Sequence, residues 1–164
     1  MDSDGDSLAD GTDGDCALPG YFPWPPCTGY RVYRSVNAPK NIPDDAGSAW
    51  SQILVPDEGT VAHFALVLDI SHPRVSDVDV TLIPPWGTPR DITSGNGGLG
   101  SNYASTVFDS MCPMNVAWSM APFSACFEPE SLLPSGGQAN GSWMLRVSDH
   151  AAGQVGSLDA WTLV

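Results

Sequence analysis

Apolar and polar side chains alternate over residues 61–70, and this period of two predicts a β-strand. His63 and Asp69 fall on one face of the predicted strand. The opposite face carries only apolar side chains, namely Ala62, Phe64, Leu66, Leu68 and Ile70. We therefore expect that face to belong to a hydrophobic core.

The same alternation recurs in three later segments that are bounded by turn residues, at residues 78–82, 143–147 and 157–164. No window keeps a 3.6-residue period for three turns, so we predict no long helix. Short strands separated by turns at intervals of about ten residues are typical of β-sandwiches. The predicted fold is all-β, a jelly-roll β-sandwich. In it, the glycine-rich segment 94–100 would be a crossing loop or the rim of a ligand site.

The chain is acidic, with 19 Asp and Glu against 6 Lys and Arg in 164 residues and a formal net charge of −13. Nucleic-acid binding needs a basic stripe that neutralises phosphates, and the sequence has none. We therefore exclude nucleic acid as a partner and expect cations as ligands. No apolar run approaches the roughly 18 to 20 residues of a membrane span.

Composition divides the chain into three predicted parts. Residues 1–16 are an acidic block, residues 17–34 are a connector rich in proline and aromatic residues, and residues 35–164 are the β-sandwich. Residues 2–15 lack the basic and apolar stretches of a signal peptide, so we expect the chain to be part of a longer protein.

Four cysteines form two local pairs in the sequence, without the C-x-x-C spacing of zinc or redox sites. We predict the disulfides Cys16–Cys27 and Cys112–Cys126, which is one of three connectivities. The alternative is four buried reduced thiols. Disulfides would place the protein in an oxidising compartment, secreted, extracellular or periplasmic.

The acidic block has the spacing of a calcium loop. Oxygen ligands at positions 1, 3, 5, 7, 9 and 12 surround Ca²⁺ in EF-hand-like loops, and a solvated acidic linker is the alternative. The predicted ligands are five carboxylates and one backbone carbonyl, from Asp2, Asp4, Asp6, Leu8, Asp10 and Asp13. The segment resembles a thrombospondin type 3 repeat, whose Asp-rich units bind calcium, although Ser7 stands where the repeat usually has Gly.

Residues 35–164 carry a second, ordered set of motifs. The set is Asn41-Ile42-Pro43-Asp44, Leu68-Asp69-Ile70-Ser71-His72, Ser76-Asp77-Val78-Asp79-Val80-Thr81-Leu82, Thr106-Val107-Phe108-Asp109, Gly141-Ser142-Trp143-x-Leu145-x-Val147-x-Asp149 and Gly156-x-Leu158-x-x-Trp161-x-Leu163. Together they resemble the P domain, or homo B domain, of subtilisin/kexin-like proprotein convertases. The resemblance implies a β jelly roll without catalysis of its own, which stabilises an adjoining serine protease domain and depends on calcium.

Two carboxylates in these motifs, Asp77 and Asp109, are the candidates for a second calcium site. Each abuts a strand in the segments that resemble the family, and the glycine-rich loop between them offers free carbonyls. Ordinary turn-capping is the alternative for both residues. Ser110 follows Asp109 where the family often has a second Asp, and this departure weakens the site.

No catalytic constellation is evident in the sequence. Neither Gly-x-Ser-x-Gly nor Gly-Thr-Ser occurs, and Ser119 lacks the context of a subtilisin nucleophile. We therefore expect a non-catalytic accessory module whose partner is a subtilisin-like catalytic domain. The alternative is an autonomous binding or adhesion module with a protein or carbohydrate ligand. A carbohydrate would rest on tryptophans outside the core, for which the candidates are Trp24, Trp50, Trp86 and Trp118.

Overall fold

The structure, a computed structural model, describes residues 31–45 and 47–164. These residues form β-strands in two sheets, and the predicted all-β sandwich is confirmed. The strands are β1 (Tyr33–Arg34), β2 (Lys40–Ile42), β3 (Ala49–Val55), β4 (Leu66–Ser71), β5 (Val78–Ile83), β6 (Arg90–Ser94), β7 (Tyr103–Phe108), β8 (Cys126–Phe127), β9 (Gly141–Asp149) and β10 (Gly156–Leu163). Short 3₁₀ turns cover Val75–Asp77 and Val116–Trp118.

The two sheets differ in size and share no strand. Sheet A has the order β1-β10-β4-β7-β8, with β2 also pairing with β10, and sheet B has the order β3-β9-β5-β6. The β7–β8 pair is parallel, and the other strand pairs described are antiparallel. Residues 95–102 connect β6 in sheet B to β7 in sheet A, as predicted for a crossing loop. Sheet A begins at Tyr33, ahead of the boundary predicted at residue 35.

The main core lies between the sheets, where the inward side chains of both meet. The predicted strands over residues 78–82, 143–147 and 157–164 are observed as β5, β9 and β10. Alternate residues of β3 and β9 are buried, as expected for strands with one face in the core. Trp143 and Trp161 belong to this core and are 3% and 1% exposed.

The strand predicted over residues 61–70 is shorter in the structure, since β4 begins at Leu66. The N–H of Val61 donates to the carbonyl of Gly137 (2.9 Å), and the N–H of Gly136 donates back to the carbonyl of Val61 (2.8 Å). These hydrogen bonds direct residues 61–63 toward the loop before β9 instead of along β7. Ala62 is exposed, so its predicted place on the core face is wrong.

A second, smaller cluster covers the outer face of sheet A. Val67 of β4 and Val107 of β7 point away from the main core, yet they are only 7% and 4% exposed. The segment that covers them is closed by the disulfide Cys112–Cys126, which confirms that predicted pairing. Cys16 and Cys27 lie outside the described residues.

Polar contacts cross the core between the sheets. The indole N–H of Trp161, in β10, donates to the hydroxyl of Ser51, in β3, at 2.7 Å. Ser51 donates in turn to the side-chain oxygen of Asn37 at 2.5 Å. Ser51 is 1% exposed, so water cannot replace either partner.

Two further polar pairs join the sheets. His72 follows β4 and Asp149 ends β9, and their Nε2 and Oδ2 atoms lie 3.0 Å apart with both side chains fully buried. Tyr103 of β7 lies with its hydroxyl 3.4 Å from that of Thr93 in β6. Burial is the main cause that raises the pKa of Tyr103, so its hydroxyl stays neutral in the folded protein.

Removing the hydroxyl of Ser51 tests how much the polar contacts between the sheets contribute to the stability of the fold. In Ser51→Ala, the Trp161 indole loses its acceptor in a dry environment, and we expect the free energy of unfolding to fall by about 1 to 3 kcal/mol. Denaturant unfolding measures this change. Gln52→Ala, an exposed neighbour on the same strand, is the control and should change it by less than about 0.5 kcal/mol. Equal effects of the two substitutions would contradict the prediction.

We expect the disulfide to stabilise the folded protein because it closes a loop of the chain. Cys112 and Cys126 are 14 residues apart, and a loop of this size corresponds to about 3 kcal/mol of chain entropy in the unfolded state. We expect Cys112→Ala with Cys126→Ala to lower the free energy of unfolding by about that amount. Comparing the double variant with the native chain in denaturant tests this. A loss below about 0.5 kcal/mol would show that packing alone holds the covering segment in place.

Candidate functional site

Asp77 lies in the 3₁₀ turn before β5 and is 6% exposed. Its Oδ1 is 3.4 Å from Nε of Arg74 and accepts a 3.4 Å hydrogen bond from the hydroxyl of Ser76. The backbone carbonyl of Asp77 accepts the N–H of His150 at 2.9 Å. The carboxylate thus stabilises the turn itself, and the backbone carbonyl joins the turn to the residue that follows β9.

Asp109 directly follows β7 and is 4% exposed. Its Oδ2 lies 3.0 Å from Nε2 of His63, and its Oδ1 accepts the N–H of Met111 at 2.8 Å. Both carboxylate oxygens therefore have partners within the protein. The side chain fixes the start of the segment that carries the disulfide.

The structure does not bring Asp77 and Asp109 together. Asp109 lies beside the start of β4, because Phe108 is paired with Leu66. Asp77 lies near the other end of β4, where His72 contacts Asp149. The length of β4 separates the two carboxylates by about 20 Å.

The acidic side chains of the described residues do not gather into a metal-binding group. Calcium takes six to eight oxygen ligands, whereas residues 31–45 and 47–164 contain no group of three or more His, Cys, Asp or Glu side chains that could hold a metal ion. The donors at Asp77 and Asp109 therefore do not fit one shared calcium ion. The predicted N-terminal ligands lie outside the described residues, where the loop stays a prediction; they are Asp2, Asp4, Asp6, Leu8, Asp10 and Asp13.

The three histidines all contact carboxylates. His63 contacts Asp109, His72 contacts Asp149, and His150 lies 3.5 Å from Asp79. The hydroxyl of Ser119 donates to the backbone carbonyl of Asn115 at 2.9 Å. Among the described residues, therefore, no histidine has a serine hydroxyl as a hydrogen-bond partner.

The predicted tryptophans occupy different environments. Trp86 packs edge-on against Trp143, with ring centroids 5.2 Å apart, so it supports the core and is a poor ligand platform. Trp50 and Trp118 are 45% and 89% exposed. They are the two described tryptophans that could meet a ligand, and Trp24 lies outside the described residues.

The most exposed tryptophan is part of an exposed apolar surface, bordered by the carboxylate of Glu128, that our sequence predictions missed. We call it the Trp118 surface, and it consists of Leu99, Met114, Trp118 and Met120, which are 77%, 40%, 89% and 71% exposed. Leu99 belongs to one segment of the chain, and Met114, Trp118 and Met120 belong to another. The two segments are joined, because the N–H of Ala121 donates to the carbonyl of Gly97 at 3.2 Å. Met120 also lies against Gly98, where a Cβ would meet its methyl group.

A signal for this surface was present in the sequence. Between residues 92 and 127, Asp109 is the one Asp, Glu, Lys or Arg, although the chain as a whole carries a net charge of −13. Large exposed apolar groups in an uncharged region are typical of protein interaction sites.

None of the helices in the described part of the chain is long and apolar enough to span a membrane.

Comparisons with known proteins agree with the fold. Two structures of a serine protease of Aeromonas sobria are similar. One is a complex with a chaperone (18% identity, TM-score 0.53, covering 82% of this chain and 26% of that chain), and the other is described as the serine protease (17%, 0.50, 87% and 27%). This chain thus spans about a quarter of those chains. No curated protein matches it.

The family comparison is more specific than the structural one. Residues 61–164, more than half of the chain, match the family described as the proprotein convertase P-domain. This range includes β4 to β10 and therefore most of both sheets. The chain belongs to the proprotein convertase P-domain family, whose members are accessory domains of subtilisin-like serine proteases.

Proposed function

We propose that this P domain is a non-catalytic module of a secreted subtilisin/kexin-like serine protease, and that it stabilises or positions the protease domain through the Trp118 surface. The observation that carries the proposal is the exposure of four large apolar side chains on two adjoining chain segments that themselves contain no charged residue. Such a surface gains free energy when a partner covers it, at about 25 cal/mol per Å² of apolar area.

The charge distribution favours a protein partner at this surface. Charged side chains lose hydration when an interface forms, and the centres of interfaces are depleted in them. The exposed side chains of the Trp118 surface are themselves uncharged, and the charge that borders them, Glu128, is already hydrogen-bonded to Asn115. Tryptophan is also common among residues that dominate binding energy, and methionine adapts its shape to a partner.

The size of the related structures and the disulfide also support the proposal. The Aeromonas chains are about three times as long as this chain, which leaves room for a catalytic domain beside the region matched here. The disulfide Cys112–Cys126 is consistent with secretion, because disulfides persist in oxidising compartments.

Calcium enters the proposal through the N-terminal loop alone. The spacing of Asp2, Asp4, Asp6, Asp10 and Asp13 supports it, because carboxylates at this spacing suit a hard cation that takes six to eight oxygens. Calcium would also reduce the mutual repulsion of these charges. The two sandwich carboxylates have protein partners instead.

The docking prediction requires the parent protein. Trp118→Asp should shorten the half-life of protease activity at elevated temperature at least about threefold, because a buried unpaired carboxylate weakens the contact with the protease domain. Residual hydrolysis of a peptide substrate after timed heating measures this half-life. Trp50→Asp, at the other exposed tryptophan, is the matched control and should leave it unchanged.

Two outcomes would contradict the docking proposal. One is a parent gene without a subtilisin-like catalytic domain. The other is an unchanged half-life in Trp118→Asp together with an unchanged unfolding temperature of the isolated chain, because the substitution would then have placed a charge on a surface that no partner covers.

The calcium prediction uses the isolated chain. Titration calorimetry should show calcium binding with a Kd of about 10⁻⁴ to 10⁻³ M, which Asp4→Ala abolishes without moving the main unfolding transition. Asp109→Ala should instead lower the temperature of that transition with and without calcium, because it removes the carboxylate that contacts His63 and accepts the N–H of Met111. Magnesium should bind poorly, since it requires strict octahedral geometry. Calcium binding that survives in Asp4→Ala but disappears in Asp109→Ala would place the site in the sandwich.

A further inference from the structure

The outer face of sheet B carries a row of four side chains that runs across its strands. Trp50 of β3 is paired with Arg146 of β9, Arg146 is paired with Thr81 of β5, and Thr81 is paired with Asp91 of β6. Neighbouring strands lie about 4.8 Å apart, so the row extends for about 14 Å. It crosses every strand of the sheet.

Hydrogen bonds hold the middle of this row in place. Nη2 of Arg146 donates a hydrogen bond to the hydroxyl of Thr81 at 3.1 Å, and this hydroxyl donates to Oδ1 of Asp91 at 3.2 Å. Thr81 is 4% exposed beneath its neighbours. The guanidinium and the carboxylate are therefore oriented before any ligand arrives, which lowers the entropy lost on binding.

The ends of the row remain accessible. Trp50 is 45% exposed on the edge strand β3, and Asp91 is exposed on the edge strand β6. Among the described residues, Arg146 has no carboxylate within ion-pair distance, although the chain contains 19 acidic residues. Its charge is thus available to an oxygen atom of a ligand.

The two opposite charges in the row decide which class of ligand it can bind. An anion would meet Asp91, and a cation would meet Arg146, so neither charge is favoured along the whole row. A neutral polyhydroxylated ligand can accept from the guanidinium, donate to the carboxylate and place an apolar C–H face on an indole. We propose that the row Trp50–Arg146–Thr81–Asp91 binds a neutral oligosaccharide that lies across sheet B.

The surface is less suited to a protein partner than the Trp118 surface is. Aspartate is depleted at protein interfaces, and this row has Asp91 within it. The Trp118 surface presents uncharged apolar side chains around an exposed tryptophan. The two exposed tryptophans therefore belong to surfaces of different chemistry, and sugar binding at Trp50 does not depend on docking at Trp118.

The test is titration calorimetry of the full chain with cellohexaose, xylohexaose, mannohexaose and chitohexaose, and with hexagalacturonate as an acidic comparison. We expect at least one neutral hexasaccharide to bind with a Kd of about 1 mM or tighter. Trp50→Ala and Arg146→Met should each weaken it about tenfold or more, which corresponds to about 1.4 kcal/mol. Trp50→Phe should retain most of the affinity, because it keeps an aromatic face.

Trp118→Ala is the matched control and should bind the same sugar as tightly as the native chain. Unfolding temperatures close to the native value would show that the Trp50 and Arg146 variants are folded, and Trp50→Phe tests the site if Trp50→Ala is not. Three results would overturn the proposal: no neutral hexasaccharide binds, hexagalacturonate binds most tightly, or Trp118→Ala loses as much affinity as Trp50→Ala. Binding of a protein at Trp50 without sugar binding would likewise contradict it.

Discussion

The hydrogen bond from Trp161 to Ser51 is the contact on which the arrangement of the two sheets depends. An apolar core can be filled in several ways, but a buried indole N–H requires an acceptor at one distance and direction. The bond joins β10 to β3 at 2.7 Å, and the buried pair of His72 and Asp149 joins the sheets again. Together they select one relative placement of the sheets, and this placement positions the two exposed surfaces.

Local alternation predicted three of the strands that have one face in the core, but our predictions missed β3, in which buried and exposed residues alternate in the same way. It predicted β5, β9 and β10 because their inward residues meet the opposite sheet. It was wrong for Ala62, since residues 61–63 bond to the loop before β9. It also could not predict that Val67 is buried, because the cover on that face comes from residues around Cys112, far away in the sequence.

The candidate site shows the same division between local and distant information. Asp77 and Asp109 were each correctly placed beside strands, but which strand ends meet is decided by the sheet order, which the sequence does not state. The Trp118 surface had a readable signal in the absence of charge from residue 92 to 127 apart from Asp109. Trp50 was one of the tryptophans considered for a carbohydrate, but its neighbours in the row could not be predicted, because they depend on the register of four strands.

The sheet order also constrains how the domain forms on the ribosome. The last two strands along the chain occupy internal positions, because β9 lies between β3 and β5, and β10 lies between β4 and the pair β1 and β2. Until residue 163 has left the exit tunnel, the earlier strands lack their central partners. Synthesis adds about 5 to 20 residues per second, so the nascent domain waits for seconds with unpaired strand edges. Pairing within both sheets is therefore complete only after β9 and β10 have been translated.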